Sequence, residues 1–241
     1  MKLLTIETTG KLAGTAYYEA GHEIIERKGP MGENHLISLM PMIKEILMEA
    51  DICLSDLDGI GVSTGPGSYT GIRIGVSTAR ALSQVSKVPL IEIPTLYTFN
   101  YNEEQKKGVA VCPILDARRD QLYGACYLNR EETIKPGAYN INEFLKMMKE
   151  EPSLKTVKFY GDGIFRFENI IKTELGETPL KFSFAQGEMV YQSPKSCMYV
   201  AKDKYEKGEV KNYEDVLPRY YRIAEAQQRL QEGTLGRKNR C

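Results

Sequence analysis

The chain has 241 residues, with 32 basic and 32 acidic side chains and 42% hydrophobic content. This length holds one large domain or two small lobes with a real core, and balanced charge removes the electrostatic drive for strong nucleic-acid binding by the chain alone. No apolar run is long enough to span a membrane, Met1 to Glu7 reaches a charge too soon for a secretory signal, and five scattered cysteines without a C-x-x-C pair argue against a disulfide framework or zinc site, so a cytoplasmic setting is expected.

Leu3 to Thr8 reads as an apolar strand ending in Glu7, and Thr9-Gly10-Lys11 as the turn to a second strand near Leu12 to Glu19. A third strand is expected near Glu23 to Arg27. Asn34 to Ala50 is helical in pattern, with Leu36, Leu39, Met40, Ile43, Ile46, Leu47 and Ala50 at three- and four-residue steps. Ile37 and Met42 widen that stripe beyond one face, so burial on two sides is expected, and Pro41 is expected to kink the helix. Leu57 to Ser63 is the next strand, then a glycine-rich loop, then a helix to Ser86. Pro89 to Ile93 reads as a strand and Thr95 to Asn102 as a helix. Glu103 to Gly108 is polar and marks the expected boundary between an N-terminal lobe, 1–105, and a C-terminal lobe, 106–232.

The second half repeats the opening of the first. Val109 to Leu115 is an apolar strand ending in Asp116, followed by the turn Ala117 to Asp120 and a strand from Gln121 to Leu128. Glu7 stands nine residues before Ala16, and Asp116 nine before Ala125. Thr156 to Tyr160, Gly161-Asp-Gly163 and Ile164 to Thr173 then echo the strand, glycine loop and helix of the first half, which implies two related lobes. Ser193 to Lys207 is expected as a helix, Leu217 to Arg222 as extended chain, Ala224 to Glu232 as a short helix, and 233–241 as a flexible tail.

The loop with Gly65, Gly67 and Gly71 lies between strand and helix, where backbone N–H groups can face an anion. Two chemistries fail on spacing. Gly61-Val-Ser-Thr-Gly65 matches the nucleophile elbow, but the only histidines, His22 and His35, precede Ser63, and that fold needs a later one. Gly71 is followed by Ile72 and Arg73, not by the Lys-Ser/Thr of a Walker loop. Gly65-x-Gly67-x-x-x-Gly71 does resemble a variant dinucleotide loop, with Glu92 closing the next strand about where a ribose partner could sit, and stands as the runner-up; against it, the loop follows a hairpin and a helix and not the first strand of a βαβ series.

A two-lobed α/β chain with an acidic residue closing a strand before each hairpin resembles the actin, hexokinase and Hsp70 superfamily. More narrowly, Leu4-Thr-Ile-Glu-Thr-Thr9, Asn34-His-Leu-Ile-Ser-Leu-Met-Pro41 and Thr64-Gly-Pro-Gly-Ser-Tyr-Thr-Gly-Ile-Arg-Ile-Gly75 resemble the bacterial TsaB family, also called YeaZ. So do Leu115-Asp-Ala-Arg-Arg119, Gly161-Asp-Gly163 and Leu217-Pro-Arg-Tyr-Tyr-Arg222. The resemblance implies the two-lobed fold with a shortened second lobe. It also implies a non-catalytic subunit that binds and stabilises the transferase TsaD. That enzyme forms N6-threonylcarbamoyladenosine at position 37 of tRNAs reading ANN codons, and the ATPase TsaE completes the complex. ATP and metal are expected on the partner subunits and none on this chain alone. tRNA is the substrate of the complex, and no membrane is involved.

The family pairs the two first-lobe helices with those of its paralogue. Carried onto this chain, the expected interface is Leu36, Leu39, Met40, Ile43 and Leu47 with Gly71, Ile74, Gly75, Thr78 and Leu82. The same surface could form a homodimer when the partner is absent. Gly75→Leu is expected to weaken that pairing while leaving the lobe folded. Glu7, Thr64, Gly65, Gly67, Ser68, Asp116, Gly161 and Gly163 are expected as a vestigial nucleotide or anion loop. Glu7 replaces the superfamily's usual Asp, which moves its carboxylate by about one C–C bond and speaks against Mg²⁺ there. Asp116 is expected to satisfy turn N–H groups. The alternative is an ATP-dependent small-molecule phosphotransferase of the same fold, using Glu7, Asp116 and the glycine loops.

Overall fold

The computed structural model describes residues 1–32, 34–104 and 106–221. It contains two five-stranded sheets of one plan. The first runs β3-β2-β1-β4-β5, from β1 (Lys2–Glu7), β2 (Gly14–Glu19), β3 (Ile25–Lys28), β4 (Gly59–Gly65) and β5 (Leu90–Pro94). The second runs β10-β9-β6-β7-β8, from β6 (Val109–Asp116), β7 (Gln121–Leu128), β8 (Glu131–Asn140), β9 (Thr156–Tyr160) and β10 (Lys181–Phe184). In each, the first strand pairs antiparallel with the second and parallel with the fourth. The helices α1 (His35–Glu49) and α2 (Tyr69–Ser86) of the first sheet correspond to α4 (Ile141–Glu150) and α5 (Ile164–Gly176) of the second. The duplication expected from the sequence is present in the topology, although the second lobe is not short of elements. It has a counterpart for each of the five strands and for α1 and α2, and the shortening falls on both helices and on β9 and β10.

Local chemistry sets these boundaries. Asn34 caps α1, its side-chain oxygen accepting from Leu36 N at 3.1 Å, and Ser68 caps α2, accepting from Gly71 N at 3.2 Å. Pro41 stands inside α1 without ending it. Strand parity divides the first lobe into two cores. Leu4 and Ile6 of β1 face Leu39, Ile43 and Ile46 of α1 and Ile72, Val76 and Ala79 of α2. Leu3 faces the other way, with Ile91 and Ile93, against Cys197, Met198, Val200 and Ala201.

Those last four residues belong to α6 (Pro194–Glu206), which packs on β1 and β2 of the first lobe. The expected C-terminal lobe of 106–232 is therefore divided. Its strands and helices through β10 form the second lobe, whereas α6 and the chain after it return to the first. After α6, Lys211 exchanges two backbone hydrogen bonds with Leu90, at 2.9 and 2.8 Å, and Val216 is fully buried in the α1–α2 core. Arg219 N donates to Thr64 O at 2.8 Å, and Lys211 and Arg219 both bind the Glu92 carboxylate, at 2.6 and 2.8 Å. The expected helix at 224–232 and tail at 233–241 lie outside the described residues.

The expected helix at Thr95 to Asn102 is a short α3 (Thr95–Thr98) continued by a 3-10 turn over Phe99–Tyr101. It joins the lobes: Leu96 and Phe99 pack with Val111, Leu115, Ala125, Tyr127 and Tyr160 of the second. Three elements escaped the sequence reading. β8 carries Glu131, Glu132, Lys135, Pro136 and Gly137 on a sheet edge and shows little alternation. β10 is only four residues long. α4 had a legible signal, an Asn140 cap followed by Ile141, Phe144, Leu145 and Met148 on one face.

Candidate functional site: an interlobe cleft and an open helix face

Two features concentrate the residues expected to act. The first is the cleft between lobes, about 840 Å³ in volume. The β1–β2 turn supplies Thr9, Gly10 and Lys11, the start of α2 supplies Gly67, Ser68 and Tyr69, and the β6–β7 turn supplies Asp116, Ala117 and Arg118. Asp162, Phe165 and Arg166 close the other wall. Its charges are largely paired within the chain. Arg166 binds Asp120 at 2.9 Å and Asp116 at 3.4 Å, and Lys11 lies 3.7 Å from Asp162, over the Phe165 ring. Asp116 accepts from Arg118 N at 2.8 Å, which is the turn-satisfying role expected for it.

Of the eight residues expected as an anion loop, Gly67, Ser68 and Asp116 line this cleft, and Glu7, Thr64, Gly65, Gly161 and Gly163 do not. Parity explains Glu7. It shares the face of Leu3 and Thr5, so its side chain lies under α6, fully buried. One carboxylate oxygen accepts from Thr9 N and Thr9 Oγ1, both at 2.5 Å, and the other lies 3.4 Å from the Cys197 thiol. Burial first, then the Glu7 charge, push the Cys197 thiol well above its ordinary range. Thr64 is buried beneath the Arg219 segment.

The glycines fit their own chain. A Cβ on Gly65 would lie 2.5 Å from Arg219 O, one on Gly67 2.5 Å from Thr9 O, and one on Gly161 2.1 Å from Ile114 O. On Gly163 it would lie 2.8 Å from the same Ile114 oxygen. Two of the loop's donors are also committed: Ser68 N donates to Thr9 O at 2.8 Å and Gly71 N to Ser68 Oγ. Among the described residues, no three His, Cys, Asp or Glu side chains group as a metal site, and no helix is long and apolar enough to cross a membrane.

The second feature is the outer face of α1 and α2. Leu36 is 66% exposed, Ile37 67%, Met40 47% and Met48 69%. Leu47, Ile74, Thr78 and Leu82 are half-buried beside them. A groove of about 620 Å³ runs between Met40, Leu47, Met48 and Leu82 and the segment Asp51 to Leu54. Six of the ten expected interface residues thus reach the surface, and four do not. Leu39 and Ile43 are 1% and 2% exposed and belong to the lobe's core. Gly71 and Gly75 face inward: a Cβ on Gly71 would lie 1.9 Å from Thr8 O, and one on Gly75 2.3 Å from Thr8 Oγ1. Their small size admits β1 of the same lobe, not a partner, so Gly75→Leu would strike the fold itself. Sequence reasoning missed Thr8, whose hydroxyl donates to Gly71 O at 2.7 Å, and the exposure of Val85, at 81%.

The duplicated mixed sheets, the cleft between their paired hairpins and the helices that flank them define a two-lobed α/β protein. Residues 29–232 match the family model described as TsaD: tRNA N6-adenosine threonylcarbamoyltransferase. The chain is 29% identical over 231 residues to the tRNA threonylcarbamoyladenosine biosynthesis protein TsaB of Bacillus subtilis, covering 94% of this chain and 96% of that protein. It is 34% identical to the TsaB of Buchnera aphidicola subsp. Schizaphis graminum, over 59% of this chain and 70% of that one. The solved structure of YeaZ from Pseudomonas aeruginosa superposes with a TM-score of 0.70 at 21% identity, over 91% of this chain and 99% of that one. Within the matched transferase superfamily, the chain belongs to the TsaB (YeaZ) family.

Proposed function

We propose that this chain is the non-catalytic subunit that binds and stabilises a TsaD-type transferase during formation of N6-threonylcarbamoyladenosine at position 37 of ANN-decoding tRNAs. The observation that carries the reading is the uncovered apolar ridge of α1 and α2, where Leu36, Ile37, Met40 and Met48 all remain in solvent. A contiguous apolar face of this kind is what a partner helix pair would cover. The state of the cleft supports the non-catalytic part, since Glu7 is turned under α6 and carbonyls of Arg219, Thr9 and Thr8 stand against Gly65, Gly67 and Gly71. In this reading the partner subunits hold ATP and metal, TsaE joins the assembly, and the chain alone pairs with a second copy through the same ridge. Its working place is the cytoplasm.

Threonylcarbamoylation of tRNA, reconstituted with the transferase, its threonylcarbamoyl donor system and the ATPase, tests the proposal. Product is expected with this chain present and not in its absence; equal product without it overturns the reading. Micromolar binding and turnover of ATP–Mg²⁺ by the isolated chain would instead favour the phosphotransferase alternative.

A further inference from the structure

The core of the second lobe holds two thiols that the proposed function does not use. The register of β6 with β7 pairs Val111 with Tyr127 and Ile114 with Gly124, which sets Cys112 directly opposite Cys126. Residues opposite one another in an antiparallel pair share a face. Both cysteines are fully buried, in the same cluster with Phe144, Phe159 and Phe167. Opposite residues in such a ladder have Cα atoms about 4.5–5.5 Å apart, inside the roughly 4.4–6.8 Å that a disulfide bridges. Burial, and then the neighbouring Cys126 thiol, push the Cys112 thiol well above its ordinary range, so the two sulfur groups are near neighbours as well as register partners.

We propose that Cys112 and Cys126 form a redox-sensitive cross-strand pair, closing to an intramolecular disulfide when a small peroxide reaches the second-lobe core. Burial keeps the pair as thiols in the closed core, so the first step belongs to molecules in which the strand has opened to water and one thiol has lost its proton: that thiolate attacks a peroxide oxygen, the O–O bond breaks, and after protonation the products are a sulfenic acid and water. In the second, the other thiol attacks the sulfenic sulfur, forms the S–S bond, loses its proton and expels the hydroxyl as a second water. Two thiols lose two electrons and hydrogen peroxide becomes two waters.

Access and consequence both follow from position. The β7–β8 ladder is irregular on either side of Cys126, between Gly124 and Cys126 and again between Cys126 and Tyr127. Such an irregularity leaves ladder positions unpaired around Cys126, and fewer backbone hydrogen bonds lower the cost of opening the strand there. The pair also stands behind the turn that carries Asp116 and Arg118 into the cleft. A covalent rung there would hold the two strands that present that wall.

The test uses the full chain. Exposed thiols, Cys53 among them, are first blocked with N-ethylmaleimide under native conditions. The protein is then treated with hydrogen peroxide, denatured, alkylated with a second reagent and digested. The expected result is joint loss of alkylatable Cys112 and Cys126, recovery of one cross-linked peptide two hydrogens lighter than its reduced parts, retention of the Cys197 thiol, and full reversal by dithiothreitol. Amide exchange across β6 and β7 is expected to slow in the oxidised form. Recovery of both thiols after treatment overturns the proposal, as does oxidation of Cys112 to sulfinic acid with Cys126 left free. Cys126→Ala supplies the control: peroxide is expected to leave Cys112 without an intramolecular partner. If that variant does not fold, the cross-linked peptide of the native chain still decides the matter.

Discussion

Replacing Leu36 by Ala is expected to weaken docking of a TsaD-type partner without loosening the lobe, while replacing Ile43 by Ala on the same helix does the reverse. The separation follows from exposure, 66% for Leu36 and 2% for Ile43. Full burial of a Leu side chain is worth roughly 1.5–3 kcal/mol, so the two-thirds of Leu36 still in water leaves about 1–2 kcal/mol to gain on docking. Its loss corresponds to an affinity about 5- to 30-fold lower. Ile43 is already packed with Leu4, Leu39 and Ile46, and deleting its outer atoms costs about 2–5 kcal/mol of lobe stability. In a chain of this size that is a fall in Tm of about 4–20 °C.

The assay pairs calorimetric titration of purified transferase with thermal denaturation of each variant alone. Leu36→Ala is expected to move the dissociation constant and leave Tm within about 1–2 °C of the parent, as surface substitutions usually do. Met40→Ala, at 47% exposure, should follow with a smaller affinity loss. An unchanged dissociation constant for Leu36→Ala and Met40→Ala together would refute the assignment of this ridge as the docking face. A large fall in Tm for Leu36→Ala would refute the division of α1 into an outward and an inward set.

Gly71→Ala is expected to lower Tm more than Gly75→Ala. The added methyl meets the Thr8 carbonyl, fixed backbone, at 1.9 Å in the first case and the Thr8 hydroxyl, a side chain, at 2.3 Å in the second; thermal denaturation ranks them, with overpacking costs of about 1–3 kcal/mol, and Thr8→Ala should rescue only Gly75→Ala. Stability should also carry an acid limb from Glu103. Burial raises its pKa, but hydrogen bonds from Lys158 and Tyr160 and the Lys158 charge outweigh that and hold it below its ordinary value. A depressed carboxylate contributes stability that is complete above its unfolded pKa, about 4.3, and is lost as pH falls through the lower folded value. Glu103→Gln should therefore flatten the decline of Tm with acid below about pH 4.5, and an unchanged slope would show that the carboxylate is not coupled to folding.

Much of the architecture was legible because its signals are local. Asn34 before the α1 stripe, Ser68 before α2, and the acidic ends of β1 and β6 all state their elements within a few residues. The repeat of order could be read because both hairpins and both glycine loops keep the same sequence of elements. The side chains' destinations were harder, because they depend on chain far away. Parity places Glu7 and Leu3 on one face and Leu4, Ile6 and Thr8 on the other, and that much is written in β1. That α6 would cover the first face depends on a contact spanning 190 residues, from Cys197 to Glu7. Likewise the glycine steps of α2 are visible, but whether a partner's helix or the lobe's own β1 fills them depends on the position of Thr8.

The glycine loop is where local and distant information diverge most. A strand, three glycines and a helix start are the features of a phosphate cradle, and such a cradle works by leaving N–H groups free and keeping oxygen atoms away. Here the oxygens are present. Carbonyls of Arg219, Thr9 and Thr8 occupy the space beside Gly65, Gly67 and Gly71, and the amides of Ser68 and Gly71 are already bonded within the chain. An anion seated there would meet three carbonyl dipoles negative end first and would have to displace the Arg219 segment, itself tied through Glu92. The same closeness that excludes the anion brings β1 and the returning chain against the start of α2. The glycines thus serve to fix α2 on its sheet, which leaves Ile74, Thr78 and Leu82 half-buried and sets Leu82 at the groove that Met40 and Met48 of α1 also line.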